Sequence, residues 1–358
     1  MTRLPCLAAL LLASGAFAAD SYETVPPDEA ALSTGIAAMI SEQVVKDRKE
    51  TGSAHRDAHA KAHGCVRAAF RVDASLPPEL RQGVFQEGKS YPAWIRYSNG
   101  SGRSQDDSVD DGRGMAVKLM GVPGDKLADE KGTQDFLMIS GPAFFVRNAA
   151  DYVEFTQDAN AGHPMRFFFR GANPFRWRLH ELKEALNILH RRTSNPLSAR
   201  YWSLSPFLMG ASGPAKFSAR PCVKPRAGTS DTRDPNFLRT AMAAQLKDRP
   251  ACFEFLVQLQ TQPEKMPVED PTIEWPEKAS PFRKIAVIDI PAQTFTSAAQ
   301  QKFCEDLSMN PWHAVAEHRP LGGINRVRKV VYETISKLRH DLNGAARVEP
   351  TGEEKFSD

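Results

Sequence analysis

Short segments in which apolar residues alternate with others recur along most of the chain, and they constrain its fold more than any other feature. The predicted strands are Val66–Val72, Ala93–Ser98, Gly114–Leu119, Phe136–Ile139, Phe144–Val146, Phe253–Leu259 and Lys284–Ile290. Alternation is typical of strands with one buried face, and turn residues separate most of these segments. A parallel sheet would need a crossover connection between strands, whereas an antiparallel barrel does not. The sequence therefore predicts an α+β fold, an antiparallel β-barrel with surrounding helices.

Helical periodicity marks the segments that we expect to surround the barrel. Apolar residues recur at three- and four-residue intervals in residues 27–50, 148–161, 177–191 and 324–342. Gly52 is predicted to end the first helix. Residues 220–236 and 263–281 predict irregular surface connections, because they are rich in turn-forming residues. Strand patterns resume after each connection, which favours one domain over residues 20–345, followed by a flexible polar tail at 346–358.

The first residues of the chain predict a cleaved export signal at 1–19. Arg3 precedes an apolar run from Leu7 to Ala13, and small residues around Ala18 complete the pattern. That run is too short to cross a bilayer, and no later apolar run approaches the roughly 20 residues that a span requires. We therefore expect a periplasmic or secreted protein with no membrane span.

Charge and cysteine content narrow the classes of partner and site. The formal net charge of +3 is spread along the chain, so nucleic acid is not an expected partner. Four cysteines follow the export signal: Cys65, Cys222, Cys252 and Cys304. An oxidising compartment permits disulfides, and four thiols allow three pairings between which the sequence does not choose. No Cys-x-x-Cys unit is present, which disfavours a zinc knuckle.

The last predicted helix carries a tyrosine between two arginines. Arg328, Tyr332 and Arg339 lie at i, i+4 and i+11, along one edge of the apolar stripe. A neighbouring cation favours the ionised phenol, and a tyrosine phenolate is a known ligand of haem iron. The alternative is a basic amphipathic helix with an incidental tyrosine, and the spacing alone does not separate the two.

Three histidines raise a different possibility. His55, His59 and His63 are spaced four residues apart, and on a helix they would share one face suited to a divalent metal ion. Gly64 and the strand pattern that follows it argue against a helix here. An exported metal-binding protein is therefore the weaker alternative.

Five motifs resemble those of the catalases and occur in the same order along the chain. They are Arg56-x-x-His59-Ala60-Lys61, Arg96-Tyr97-Ser98, Asp111–Lys118, Pro142–Arg147, and Arg328-x-x-x-Tyr332 followed by Arg339. Residues 309–313 and 317–326 further resemble the signature of the short catalase-related haem proteins, which lack the additional C-terminal domain of large catalases. The resemblance covers roughly residues 50–342.

The resemblance implies a haem b cofactor whose iron is held by the Tyr332 phenolate. It implies that Arg328 supports the phenolate and that His59, assisted by Ser98, transfers protons of bound hydrogen peroxide. The propionates would meet three arginines, Arg56, Arg96 and Arg339, and Phe145 would close the distal pocket. The expected enzyme is a haem peroxidase or catalase.

One departure from the family concerns the distal pocket. Catalases orient peroxide with an asparagine just before a Thr-Pro pair, and this chain reads Ile139-Ser140-Gly141-Pro142. Ser140 would offer a shorter group there, so we expect oxidation of a small organic donor to be favoured over dismutation. Non-catalytic haem binding and isomerisation of a lipid hydroperoxide remain open. Because a long N-terminal arm is not evident, a monomer or homodimer is expected.

Overall fold

A closed barrel of eight antiparallel strands forms the centre of the molecule. The computed structural model describes residues 22–86, 88–128, 131–223 and 232–356, so the predicted export signal lies outside the described residues. The strands are β1 (Ala62–Val72), β2 (Ser90–Asn99), β3 (Arg113–Met120), β4 (Thr133–Ile139), β5 (Tyr201–Trp202), β6 (Phe207–Leu208), β7 (Pro214–Pro221), β8 (Ala251–Leu259) and β9 (Arg283–Ile290). Their order is β5-β4-β3-β2-β1-β9-β8-β7, and a β5–β7 pairing closes the barrel, with β6 paired to β7. The predicted antiparallel barrel with surrounding helices is confirmed.

Six α-helices surround the barrel in the described part of the chain. They are α1 (Glu29–Thr51), α2 (Ala149–Asn160), α3 (Leu179–Leu189), α4 (Phe237–Asp248), α5 (Ala298–Asp306) and α6 (Gly323–Asn343). Short 3₁₀ turns occur at Pro78–Leu80, Pro164–Phe167, Pro174–Arg176, Pro196–Ser198, Gly210–Ser212 and Ala316–His318. Over the same ranges, no helix is long and apolar enough to cross a membrane.

Alternate side chains of the strands fill the barrel interior. Phe70, Phe136, Phe217 and Phe255 are fully buried or nearly so, and the rings of Phe136 and Phe255 lie 4.9 Å apart. Burying large aromatic side chains removes the most apolar surface per residue, so these rings contribute much of the stability of the barrel.

The predicted apolar stripe of α6 packs against α1. Val327, Val331 and Ile335 form one buried cluster with residues of α1 that include Ile36 and Ile40. Gly52 ends α1 with a φ of 83°, and its N–H donates to the Arg48 carbonyl, as expected for a left-handed helix end. These contacts hold α6 against α1.

The structure corrects several elements of the prediction. Phe144–Val146 is not a strand, because it lies in the connection between β4 and α2, where the Phe144 N–H donates to the Pro271 carbonyl. The periodicity missed β5, β6 and β7 and the helices α4 and α5. Residues 263–281 are irregular as predicted, whereas β7 runs into the start of the predicted connection at 220–236, of which 224–231 lies outside the described residues.

Two disulfides select one of the three possible pairings. Cys65 is bonded to Cys304, and Cys222 is bonded to Cys252. The first joins β1 to α5 with a Cα–Cα distance of 5.4 Å.

The C-terminal tail, which the sequence predicts to be flexible, makes specific contacts with the barrel. Glu349 accepts from the fully buried Lys118 at 2.8 Å, and Glu354 accepts from the Trp94 indole at 2.8 Å. Phe356 packs on Trp94 with ring centroids 5.9 Å apart. The polar tail therefore covers part of β2 and β3.

Candidate functional site

His59 lies in the turn that leads into β1, and two polar groups hold its ring. Its Nδ1 lies 3.0 Å from the Ser98 hydroxyl and 2.9 Å from the Asn99 carbonyl oxygen. Its backbone adopts a φ of 63°, which is uncommon for a residue other than glycine. The N–H of His59 donates to the Gly100 carbonyl, which anchors this conformation. His59 and Ser98 are therefore brought together as the motifs predict.

The protonation of His59 follows from these contacts. A carbonyl oxygen only accepts, so Nδ1 carries the hydrogen and Nε2 keeps its lone pair. Burial, and then the charge of Arg96, lower the pKa of His59 to about 4. The ring is neutral at pH 7 and Nε2 is available as a base.

Gly114 of β3 makes room for this ring. A Cβ at position 114 would lie 2.5 Å from His59 Nδ1 and 2.7 Å from Ser98 Oγ, closer than atoms can approach. Gly114 was not predicted as a residue of the site, although a glycine inside a strand often marks a close approach of another group.

Arg56, Arg96 and Arg339, here called the arginine cluster, converge around one carboxylate. Arg56 Nη1 lies 3.0 Å from Glu305 Oε1, and Arg96 Nη2 lies 3.8 Å from Glu305 Oε2. Arg339 donates to the backbone carbonyls of Glu305 at 2.6 Å and Leu307 at 2.8 Å. Sequence reasoning found the arginines and missed Glu305, because nothing in the pattern of α5 distinguishes it.

The arginine cluster lacks negative charge. Burial, and then the charge of Arg56, lower the pKa of Arg96 to about 9 and of Arg339 to about 8. Burial opposes ionisation of Glu305, yet Arg56, His55 and the other arginines lower its pKa to about 2. The buried Nε of Arg96 has no hydrogen-bond acceptor among the described residues. Three guanidinium groups share one neighbouring carboxylate, so the cluster is suited to a ligand with two further carboxylates.

Tyr332 lies on α6 beside Arg328, as the spacing predicts. Arg328 Nη2 lies 3.4 Å from the Tyr332 hydroxyl, and the guanidinium carbon is 5.2 Å from the centre of the ring. Nη1 of Arg328 donates to the Asn325 side chain at 3.1 Å, which fixes the guanidinium. The phenol is half-buried, and its oxygen is a candidate ligand for a metal ion.

His59 and Tyr332, which lie on different elements, both interact electrostatically with Arg96. After burial and Arg96, the charge of Arg328 contributes to the low pKa of His59. The charge of Tyr332 acts in turn on Arg96. The proton-accepting ring, the arginine cluster and the tyrosine are therefore within electrostatic range of one another.

The structure places Ser140 and Ile139 differently from the sequence expectation. Ser140 Oγ accepts from the Arg113 N–H at 2.9 Å. Ile139 is paired with Gly114 across β3 and β4, and paired residues project to the same face of a sheet. The missing Cβ of Gly114 points at His59, so Ile139, an apolar residue, is on the face that carries the histidine.

Phe145 belongs to an aromatic cluster beside α2. Its ring lies 4.7 Å from Phe155 and 4.8 Å from Phe144. Tyr152 on α2 shares this cluster, and burial, followed by the charges of Asp57 and Tyr332, raises its pKa. Asp57 and Tyr152 are polar neighbours of the site that the sequence analysis did not select.

The three spaced histidines have separate surroundings. His55 lies 3.7 Å from Glu305, and His63, inside β1, lies 3.8 Å from Asp107. The described ranges contain no group of three His, Cys, Asp or Glu side chains that could hold a metal ion. Residues 52–61 are not helical, so the shared helical face that the metal-binding alternative requires does not form.

The chain is similar in sequence to catalases and to a catalase-related peroxidase. The family model described as Catalase matches residues 37–184. A protein described as a catalase-related peroxidase, from Mycolicibacterium paratuberculosis (strain ATCC BAA-968 / K-10), is 27% identical over 336 residues, which cover 87% of this chain and 98% of that relative.

Solved structures with the same fold are catalases. Catalase A from Saccharomyces cerevisiae is 14% identical, with a TM-score of 0.63, and the match covers 87% of this chain and 67% of that one. A fungal catalase is 15% identical with a TM-score of 0.60, covering 82% of this chain and 61% of its own. A bacterial catalase is 13% identical with a TM-score of 0.57, covering 86% and 62%. This chain therefore spans about three fifths to two thirds of these catalases, and at such identities the likeness shows the fold alone.

Proposed function

We propose that this chain, which belongs to the catalase superfamily, is an exported haem-dependent enzyme that cleaves hydrogen peroxide heterolytically and oxidises a small organic donor or a second peroxide. The observation that carries the proposal is the arginine cluster, which is short of negative charge and lies within electrostatic range of a neutral histidine and an arginine-paired tyrosine.

The residues present fit haem b. Tyr332, beside Arg328, would hold the iron, and the arginine cluster would bind the two propionates through charge-assisted hydrogen bonds. The unpaired Nε of Arg96 supplies one such donor. Phe145 would contribute to the apolar wall. Bound haem would supply the iron centre at which the peroxide O–O bond is broken.

His59 performs the proton transfer in this proposal. Its Nε2 would accept the proton of the peroxide oxygen held by the iron and return it to the other oxygen, which would leave as water with the electron pair of the O–O bond. Bound haem would supply the two electrons that the remaining oxygen lacks. The Asn99 carbonyl and the Ser98 hydroxyl keep Nδ1 engaged throughout, so the ring cannot turn. Gly114 leaves space for that orientation.

The balance between donor oxidation and dismutation depends on the wall beside His59. Dismutation needs a second peroxide to be positioned, and positioning is a large part of catalysis. Ile139 offers no hydrogen bond there, and the Ser140 hydroxyl is engaged with Arg113. We therefore propose that a small organic electron donor is the preferred second substrate.

An absorption spectrum of the haem-loaded protein and of two tyrosine variants tests the ligand. Tyr332→Phe should lower haem occupancy and change the ferric spectrum, since phenylalanine keeps most of the volume but cannot bind iron. Tyr152→Phe, at a neighbouring tyrosine in the aromatic cluster, is the matched control and should keep both. Unchanged occupancy and spectrum in Tyr332→Phe would place the iron ligand elsewhere.

Export is a separate part of the proposal. Mass spectrometry of mature protein should find a first residue at Ala19 or Asp20, and protein that retains Met1 outside the cytoplasm would contradict it. Sedimentation analysis should find a monomer or homodimer.

A further inference from the structure

An exposed surface around the short turn before α3 combines apolar and basic side chains. The surface is formed by residues 163–192, and Phe175 at its tip is 97% exposed. Further exposed apolar side chains in this segment are Met165, Phe169, Trp177, Leu179 and Leu186. A patch of large exposed apolar residues usually marks an interaction site.

The turn that presents Phe175 is built from fixed contacts. The Asn173 side chain accepts from the Phe175 N–H at 3.0 Å, and the Trp177 indole donates to the Gly171 carbonyl at 3.1 Å. The rings of Phe169 and Trp177 meet edge to face, with centroids 5.3 Å apart. Phe175 is thus held outward by its own turn, and exposure of a whole phenylalanine is costly unless a partner covers it.

The charge of this surface identifies the kind of partner. Residues 163–192 contain seven Arg or Lys and two Glu, although the net charge of the whole chain is only +3. Arg170, Arg178 and Arg192 pair with carboxylates outside this segment. Both glutamates are buried, and each pairs with a cation, Glu181 with Arg147 and Glu184 with Lys183. Among the described residues, Arg166 and Arg176 have no carboxylate within ion-pair distance. The apolar tip is therefore bordered by two arginines, Arg166 and Arg176, whose charge is not compensated.

We propose that the 163–192 surface docks the protein onto an anionic phospholipid bilayer, with Phe175 entering the interface and Arg166 and Arg176 meeting lipid phosphates. Exposed aromatic residues flanked by Arg and Lys are suited to the boundary between headgroups and acyl chains. A second copy of the chain fits less well, because a two-fold contact through this surface would bring its basic residues against themselves. The docking does not depend on bound haem.

The surface is backed by the aromatic cluster of the site. Phe167 lies under it and contacts Phe155 at 5.6 Å, and Phe155 contacts Phe145 at 4.7 Å. A docked bilayer would therefore lie on the side of the molecule that carries this aromatic wall.

Co-sedimentation of the mature protein with vesicles tests the docking. Wild type should sediment with vesicles of equal parts phosphatidylcholine and phosphatidylglycerol, and not with phosphatidylcholine alone. Phe175→Ser, and separately Arg166→Glu with Arg176→Glu, should each weaken the partition coefficient by about tenfold or more. Because these side chains are exposed, thermal unfolding should be unchanged. Val348→Ser and Lys278→Glu, exposed positions outside the surface, are the matched controls and should bind as wild type does.

Three outcomes would overturn the proposal. In the first, wild type fails to sediment with the mixed vesicles. In the second, the surface variants bind as tightly as the controls. In the third, sedimentation velocity finds a dimer that Phe175→Ser dissociates while no form binds vesicles, and the surface is then a protein interface.

Discussion

Replacing Glu305 by Gln removes the carboxylate around which the arginine cluster is gathered, with little change of shape. The arginines lower the pKa of Glu305 from an ordinary value near 4.5 to about 2. At about 1.4 kcal/mol per pKa unit, that shift corresponds to about 3 kcal/mol of stability at pH 7. The side chain is 28% exposed, so solvent screening makes this an upper bound.

The sign of the pH dependence follows from the direction of the shift. A carboxylate whose pKa is depressed by folding stabilises the protein above its unfolded pKa, and the stabilisation is lost as pH falls through the folded pKa. Urea unfolding of the haem-free protein should show Glu305→Gln destabilised by up to about 3 kcal/mol at pH 7, with the deficit disappearing between about pH 5 and pH 2. Glu254→Gln, which removes the partner of Arg220 in a more exposed ion pair, is the control and should cost under about 1 kcal/mol.

The stabilisation of each protein by haem tests whether the arginine cluster also binds the propionates. Without Glu305 the arginine cluster keeps three positive charges, so two propionates should stabilise the variant by more than they stabilise wild type. Equal stabilisation of both proteins by haem would show that the cluster does not receive the propionates. A deficit at pH 7 that persists unchanged at pH 3 would refute the electrostatic reasoning itself.

Four further results are expected. Gly114→Ala should destabilise the protein by about 1–3 kcal/mol in urea unfolding and lower the rate of donor oxidation, because the new Cβ displaces His59; a fully active variant would contradict this. Lys118→Met removes the cation that binds the buried Asp135 and the part-buried Glu349 and should cost about 3–5 kcal/mol, and a loss below about 1 kcal/mol would show that the network is not needed. Ile139→Asn should raise the rate of oxygen release relative to the rate of donor oxidation, with both rates measured on one haem-loaded preparation. An unchanged ratio of the two rates would show that Ile139 does not determine this selectivity. Donor oxidation should persist at pH 5 and fall as pH drops through about 4, where His59 becomes protonated, and a fall centred near pH 6.5 would mean that His59 is not held in its low-pKa surroundings.

The parts of the fold that the sequence predicts are those with a local signal. The stripe of α6 and the longer strands repeat over enough residues for their period to identify them. The strands β5 and β6 contain two residues each, so no period exists to detect. Phe144–Val146 has the composition of a strand, but its aromatic side chains pack on α2 instead of joining the sheet.

The contacts of the candidate site likewise divide into those that follow from sequence spacing and those that depend on the tertiary fold. Arg328 and Tyr332 share a helix, so their contact follows from the spacing. The role of Glu305 could not be predicted, because Arg56, Arg96 and Arg339 belong to separate elements and meet it only in the folded structure. Ile139 is on the sheet face that carries His59 because of the register between β3 and β4, and a shift of one residue would have put Ser140 on that face.

The bond between Cys65 and Cys304 turns most of the barrel into a covalent ring, and His59 and Tyr332 lie on the two arms outside that ring. Along the backbone these residues are about 270 positions apart, but the path through the sulfur atoms is about 35 residues long. Shortening the loop by that factor removes about 2 kcal/mol from the entropic cost of bringing its ends together. In an oxidising compartment the two arms are thus near neighbours before the barrel is complete, whereas in a reducing one they would meet only through the finished fold.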